Sequence, residues 1–339
     1  MKTSNSTLDC TILIPTYNRP KYLKRLLKYY NEYPNYKFNI FVADSSSEEN
    51  KKLNKTNISL FSNLDINYLE YAIEITPHDK LLDALNQIKT KYCVICADDD
   101  FVSPNGIYES IKFLNENPDF TVVHGTYFGF ILNHKHTNTI SWRNIYEGPS
   151  IISNNPEDRI RLNFNDYLPT FYGVSTTCHL RLIFKENYEF QDDLYFSELF
   201  LSSLSLIYGK MKRLDIFYSA RDLTSERTYS INSEFDIIKN SILNNSPNDY
   251  YQKYKKSLVH HLCKNSEITF DESSSIIDSS IKEYLIINYK KNNKIKKLIP
   301  RKLKKLYRVI VPLKNQGISY KDSEEYGEEL KRIDHIIFN

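Results

Sequence analysis

Glycine is scarce in this sequence, with only 8 among 339 residues. None falls in PTYNRPKY (Pro15 to Tyr22), the segment that follows the first apolar run. A nucleotidyltransferase ordinarily carries a glycine-rich, basic phosphate loop after its first strand, so this absence argues against that class. Long apolar runs are missing as well. No stretch of about 18 apolar residues occurs, and the opening MKTSNSTLDC has no apolar signal core. The expectation is a cytoplasmic protein, free or peripheral on the inner leaflet of the membrane. An excess of one charge is also lacking. The formal net charge is +3, too small to mark a polyanionic partner, and no nucleic acid is expected. The five cysteines (Cys10, Cys93, Cys96, Cys178, Cys263) are odd in number and scattered. Cys93 and Cys96 form a C-x-x-C inside a β-like run, where side chains three apart point to opposite faces. They read as buried, reduced thiols.

What is present is a soluble globular composition, 41% hydrophobic and 26% charged. The length suits one large domain with appendages or two modest ones. Tyrosine is abundant, at 27 residues, and carries no functional reading. Over the first 125 or so residues, strand-like and helix-like segments alternate. CTILIPT (Cys10 to Thr16), FNIFVAD (Phe38 to Asp44), INYLEY (Ile66 to Tyr71), YCVICAD and DFTVVHGTYFGF read as strands. Between them, Tyr22, Leu23, Leu26, Leu27 and Tyr30, then Leu81, Leu82, Leu85 and Ile88, recur at helical spacing. Continuous apolar strands separated by amphipathic helices predict an α/β fold with a mainly parallel sheet covered on both faces.

Ligands of such sheets bind outside the carboxyl ends of the strands. Four predicted strand ends carry polar groups: Thr16-Tyr17-Asn18-Arg19, Asp44-Ser45-Ser46-Ser47, Asp98-Asp99-Asp100, and His124. The three aspartates stand out, because adjacent like charges after a buried strand need a cation, raised pKa values or wide exposure. Mg²⁺ and Mn²⁺ prefer carboxylate oxygens and take one or two of them along with substrate phosphates. The competing reading is a solvated acidic turn before the helix that begins near Pro104. The metal signal in NHKHTN is weaker: His134 and His136 form H-x-H, but ILNHKHTNTISW reads as a hairpin with an exposed polar tip.

From about Phe130 to Asp193 the pattern breaks into short strands and loops. LYFSELFLSSLSLIYGK (Leu194 to Lys210) then reads as a helix, RLDIFYSA as a strand, and the residues after Tyr229 as helices. Between Lys290 and Arg308 lie ten Lys/Arg and no acid, interleaved with apolar residues around Pro300. A basic amphipathic segment over 290–312 suits an anionic membrane surface, or an ordinary solvated helix face.

TILIPTYNRPKYLKRLL, then VADSSS, then KYCVICADDDFVSPNGI together resemble the N-terminal half of family 2 glycosyltransferases. These are GT-A enzymes that use nucleotide-sugar donors. The resemblance spans roughly residues 9 to 220. It implies a GT-A domain over 1–228, with a nucleotide-sugar half (1–130) and an acceptor half (131–228), followed by a mainly helical region (229–339). It implies that Pro15, Thr16, Tyr17 and Arg19 line the nucleotide pocket, and that Asp44 accepts hydrogen bonds from the base or ribose. Lys80 matches a position near the donor. Asp98 and Asp100 frame a D-x-D pattern, with Asp98 toward the ribose or sugar and the metal, Asp100 on the metal, and Asp99 a third participant. The cofactor implied is Mn²⁺ or Mg²⁺. The donor is a nucleoside diphosphate sugar, UDP-linked by first choice, and the acceptor a glycan or lipid-linked molecule.

In the family, an Asp or Glu opening a helix some eleven residues before a glycine serves as general base. Glu198 matches that position ahead of Gly209, although Ser197-Glu198 replaces the usual Glu-Asp pair. Asp193, and then Asp192, are the alternatives. Gly173 would make room for the acceptor, with Tyr172 and His179 as neighbours. Arg221 and Arg227 would close over the diphosphate, guanidinium groups being suited to phosphate. Competing readings make Tyr17 and Arg19 a helix-start turn, Asp44 a cap with Ser45 to Ser47, and the arginines surface ion-pair partners. At the level of function the resemblance implies an inverting, metal-dependent transferase of bacterial surface polysaccharide or glycoconjugate synthesis. The alternatives are a catalytically inactive sugar-nucleotide or glycan-binding module and a nucleotidyltransferase.

Overall fold

Alternation of side chains along the first strand separates two cores. Strand β1 (Cys10–Thr16) pairs in parallel with β2 (Asn39–Asp44) and with β4 (Tyr92–Ile95), and β2 pairs in parallel with β3 (Asp65–Glu70). Ile12, Ile14, Val42 and Val94 face one hydrophobic cluster, whereas Leu13, Phe41, Ala43 and Ile95 face the other. Strands buried on both faces need no polar side, which explains their continuous apolar runs. Cys93 and Cys96 fall in different clusters, as strand geometry requires, and both are free thiols.

The computed structural model describes residues 8–133, 139–146, 148–224, 234–297 and 326–338. Helix α1 (Pro20–Asn31) starts with proline at its first turn, where no N–H is needed, and buries Leu23, Leu26, Leu27 and Tyr30 on one stripe. Helices α2 (Glu48–Ser59) and α3 (Pro77–Gln87) make the next crossovers. Thr76 caps α3 by accepting from the Asp79 amide. Strand β8 (Ser175–Thr176) adds antiparallel to β4, giving the order β3-β2-β1-β4-β8. The chain therefore moves outward from β1 in both directions. The crevice at the carboxyl ends of β1 and β4 is a topological switch point.

A second sheet has the order β5-β9-β6-β7. Its strands are β5 (Phe101–Val102), β6 (Phe120–Asn133), β7 (Thr139–Tyr146) and β9 (Lys210–Asp222), and β6 and β9 are the parallel pair. β6 was expected to end near His124 at the same edge as the other polar strand ends. It instead runs on to Asn133 in the second sheet, and His124 is fully buried within it, its Nδ1 against the Gly125 carbonyl. The β6–β7 pairing forms the expected hairpin, from Tyr127↔Tyr146 to Asn133↔Thr139. Its tip, with His134 and His136, lies outside the described residues.

The remaining helices are α4 (Pro104–Glu116), α5 (Pro156–Asn165), α6 (Thr177–Glu186), α7 (Leu194–Tyr208), α8 (Glu234–Asn244), α9 (Asp249–Lys264), α10 (Phe270–Lys297) and α11 (Gly327–Phe338). Helix α7 is apolar nearly all round because it is central. Phe196, Leu199, Phe200 and Leu204 are fully buried, and Tyr254 and Leu258 of α9 belong to the same cluster. Helices α8 to α10 add to that cluster, and α11 adds to the other. Tyr29 and Tyr33 donate to Glu329, and Trp142 Nε1 donates to Asp334, which ties α11 to α1 and β7. Among the described residues no helix is long and apolar enough to cross a membrane. Most of the basic segment 290–312 lies outside the described residues.

The C-terminus of α7 is closed by a buried arginine rather than by a glycine in the left-handed region. Arg159 donates from Nε to Leu206 O (2.6 Å) and from Nη2 to Ile207 O (2.9 Å), and Nη1 serves Ser153 O and Asn154 O. Removing it orphans four carbonyls at once. Arg159→Ala is expected to cost about 2–4 kcal/mol in urea denaturation, a charged donor being worth about 1.5–3 kcal/mol.

Candidate active site

The three aspartates occupy the turn at which the chain passes from the first sheet to the second, between β4 and β5. The antiparallel register Phe101↔Ala220 places Arg221 and Asp222, at the end of β9, beside that turn. Each carboxylate meets a cation or a hydrogen-bond donor. Asp98 accepts from Thr16 Oγ1 (2.7 Å) and from Arg19 Nη1 (3.4 Å). Asp99 pairs with the same Arg19 nitrogen at 2.6 Å. Asp100 accepts from the Asp222 amide at 3.0 Å and faces Arg221 Nε at 3.8 Å. Burial, then the Asp99 charge, pushes the Asp98 carboxyl up to about 6, against the pull of Thr16 and Arg19. Burial likewise pushes Asp100 up to about 7, against the attraction of Arg221. For Arg221 burial is the largest effect and disfavours the charge, yet Asp100, Tyr172, Tyr127 and Glu198 together outweigh it and the pKa is raised.

The floor is a lysine-centred knot. Lys80, at the start of α3, is 3% exposed and donates to Thr16 O (3.0 Å) and Ser45 Oγ (2.8 Å). It joins the carboxyl ends of β1 and β2 from beneath. Burial lowers its ammonium to about 8, against the pull of Asp44 and Asp98. Asn18 is in the left-handed region at φ 53, which asparagine tolerates. Its amide donates to Ser46 Oγ, and its Oδ1 accepts from the Ser47 amide, so the loop after β1 is stitched to the loop after β2. Pro15 and Tyr17 are half-buried on the same edge.

Asp44 departs from expectation. It is fully buried, and its oxygens are taken by the Ser46 amide, Asn54 Nδ2 and Tyr68 OH. It braces the loop that would hold a nucleotide instead of presenting a carboxylate to it. The physical reason is its three donors, which come from the loop after β2, from α2 and from β3 and together hold the side chain inside the protein.

Across the crevice, Arg221 lies 4.5 Å over the Tyr172 ring and 5.5 Å from that of Tyr127. Glu198, half-buried on the second turn of α7, acts electrostatically on both Arg221 and Tyr172. The phenol of Tyr172 is pushed up to about 12, first by burial. Arg221, which faces Asp100, therefore also lies within electrostatic range of the favoured base candidate. Asp193 does not join them. It is the N-cap of α7, its Oδ1 accepting from the Tyr195 and Phe196 amides, and it is 4% exposed.

Two acceptor candidates are also redirected. A Cβ on Gly173 would sit 2.5 Å from Val122 Cγ1 and 3.0 Å from Val123 O, so the missing side chain makes room for β6, not for a ligand. His179 stands in the first turn of α6, where Thr177 donates to Lys91 O and Thr90 O. That is the amino end of β4, the far edge of the sheet from the aspartates. Arg227 lies outside the described residues. Arg25 and Asp222 escaped the sequence reading. The available signal was the spacing of Arg19, Tyr22 and Arg25 on one helical face, and the acid directly after Arg221.

A divalent cation fits this set only as a guest of its substrate. Among the described residues no three acidic, His or Cys side chains gather as a metal cage. Asp98 and Asp100 already hold protein donors, leaving chiefly Asp100 Oδ2, beside Arg221, to share. Such a cation would draw most of its ligands from phosphate and water, which Mg²⁺ does readily. Cavity size is no guide here: a space of about 360 Å³ lined by Tyr30, Tyr33, Tyr36 and Phe38 opens at the amino end of β2.

A sheet-edge crevice carrying carboxylates and arginines on one wall and a carboxylate on the other is the site class of a GT-A glycosyltransferase. The model of the Glycosyl transferase family 2 matches residues 11–181, about half of the chain. The chain belongs to this family and is a glycosyltransferase by class. No curated protein matches it by sequence. Among solved structures, the 1–349 fragment of S. aureus TarS covers 96% of this chain and 89% of its own at TM-score 0.52 and 11% identity. The same fragment crystallised with UDP gives TM-score 0.51 at 12% identity, with the same coverage of 96% and 89%. Against a longer TarS chain the match covers 75% of this chain and 42% of that one, at 15% identity and TM-score 0.44. The chain thus spans less than half of that protein's length, and the likeness establishes the GT-A fold.

Two outcomes follow. Folded Asp100 holds its proton up to about 7, whereas an unfolded aspartate releases it near pH 3.9. Between those values the folded state binds more protons, so this group's contribution to stability falls as pH rises. Asp100→Asn removes the titration and should gain stability relative to wild type on going from about pH 5 to about pH 8, measured by paired urea denaturations. Gly173→Ala should lower stability by about 1–3 kcal/mol through overpacking against β6, whereas a residue that merely made room for acceptor would change only the acceptor KM.

Proposed function

We propose that this protein transfers a sugar from a UDP-linked donor to a hydroxyl of a glycan or lipid-linked acceptor, with Glu198 as the general base. The observation that carries this reading is that Arg221 faces Asp100 at 3.8 Å and lies over the Tyr172 ring, with Glu198 in electrostatic range of both Arg221 and Tyr172. This supports a leaving-group end and a base end in one crevice. The nucleoside would rest on the stitched loops of Thr16 to Arg19 and Ser45 to Ser47, over the Lys80 knot. Uridine is supported by the similar TarS fragment crystallised with UDP.

Charge grows on the diphosphate as the anomeric bond breaks, and a preorganised guanidinium beside it stabilises that charge without reorganisation. Arg221 is held for this by the Tyr172 ring and by Asp100. Bound Mg²⁺ or Mn²⁺ would neutralise the same phosphates, with Asp98 and Asp100 as the protein groups that would hold it. The acceptor hydroxyl loses its proton to Glu198 as it attacks and UDP departs. Inversion at the anomeric carbon is what the family implies, through a single displacement on the face opposite the leaving group. The basic composition of residues 290–312 suits an enzyme meeting a lipid-linked acceptor at an anionic surface, as surface polysaccharide or glycoconjugate synthesis requires.

A thermal-shift screen of nucleotide sugars with and without Mn²⁺ identifies the donor, since binding stabilises the native state by mass action. With that donor, Glu198→Gln should cut transfer by about 10²-fold or more, the usual range for a general base, while UDP affinity is retained. Tight donor binding by the wild type with no turnover on any acceptor would instead make the protein a sugar-nucleotide-binding module.

A further inference from the structure

Arg25 is largely enclosed, nearly two turns beyond Arg19 on α1, and reaches two separate segments. Its Nη2 donates to the Asp99 carbonyl, within the aspartate turn. Nη1 and Nη2 both engage Asp222 Oδ2, at 3.2 and 3.3 Å. The guanidinium is walled by aromatic rings, 4.9 Å from Tyr22, 5.1 Å from Phe101 and 5.7 Å from Phe130. The Asp222 side chain is fully buried. Its other oxygen accepts from the Thr224 amide at 2.9 Å, and its own amide donates to Asp100 Oδ1 at 3.0 Å.

We propose that Arg25 and Asp222 are positioning residues whose buried ion pair locks the end of β9 onto the aspartate turn, and so aims Asp100 and Arg221 at the donor diphosphate. The inference rests on the donor-site reading above for its final clause only. A single planar fork bonded to a turn carbonyl on one side and a strand-end carboxylate on the other fixes their separation. Asp222 then fixes its own backbone through Thr224, and that backbone holds Asp100. Arg221 is the preceding residue, so its direction of departure from β9 is set by the same clamp. A buried pair that served stability alone could be met by apolar residues of similar volume. This one instead connects two segments that both carry charged groups into the crevice.

The test uses the full chain with Arg25→Gln, Arg25→Lys and Asp222→Asn. In hydrogen exchange, Arg25→Gln should speed exchange of amides in 99–102 and 219–222 by about tenfold or more, with β1 and β2 unchanged. Turnover should fall about tenfold or more in kcat, while UDP affinity stays within about threefold. Arg25→Lys should fall between, because a point charge reaches only one of the two partners. In an Arg221→Ala background, Arg25→Gln should cost less than about twofold further, since the two act in one unit. Unchanged exchange at both segments would overturn the clamp. So would an equal kcat loss in both backgrounds, or joint collapse of UDP affinity and Tm even in Arg25→Lys. If wild type turns over no donor, the functional reading fails by itself, and the exchange result still decides the clamp.

Discussion

Three adjacent carboxylates at a largely buried turn can persist only if charge and donors of the opposite sense surround them. Everything near the crevice answers that constraint. Arg19 covers Asp98 and Asp99, the Asp222 amide and Arg221 meet Asp100, and Arg25 fastens the turn from behind. Even so, burial leaves Asp98 and Asp100 with raised pKa values. The local electrostatics are therefore unfinished, and a cationic ligand would relieve them.

The carboxylates can be met this way because the turn lies at the seam of two sheets. β4 ends in the parallel sheet and β5 begins in the other, where its antiparallel register with β9 delivers Arg221 and Asp222. On the opposite wall, α7 is held centrally by α5 and α9, capped by Asp193 at one end and by Arg159 at the other. Glu198 thus stands on a helix fixed at both ends, and the Asp193 carboxylate is used to begin that helix.

Much of this was legible without coordinates. Continuous apolar runs and helical spacing predicted β1 to β4 and α1 and α3, and a C-x-x-C on a strand implied separated thiols. The run of aspartates after an apolar strand pointed to the carboxyl edge of the sheet, where that turn does lie. Where the reading failed, long-range packing was responsible. His124 belongs to the interior of a long strand because β6 pairs with β9, residues more than eighty positions away. Gly173 is small because β6 presses against it, and His179 lies at the far edge because β8 joins β4 at its amino end.

The sequence by itself determined the alternation of strands and helices, the two buried faces and the residue types at the crevice, because these depend on local periodicity and on charge. Tertiary structure alone decided which of those residues meet. Asp44 is enclosed by Ser46, Asn54 and Tyr68, Arg221 meets Asp100 and the Tyr172 ring, and Arg25 finds Asp222 across 197 positions. Such pairings depend on strand register and sheet order, which are global consequences of packing and leave no short-range mark in the chain.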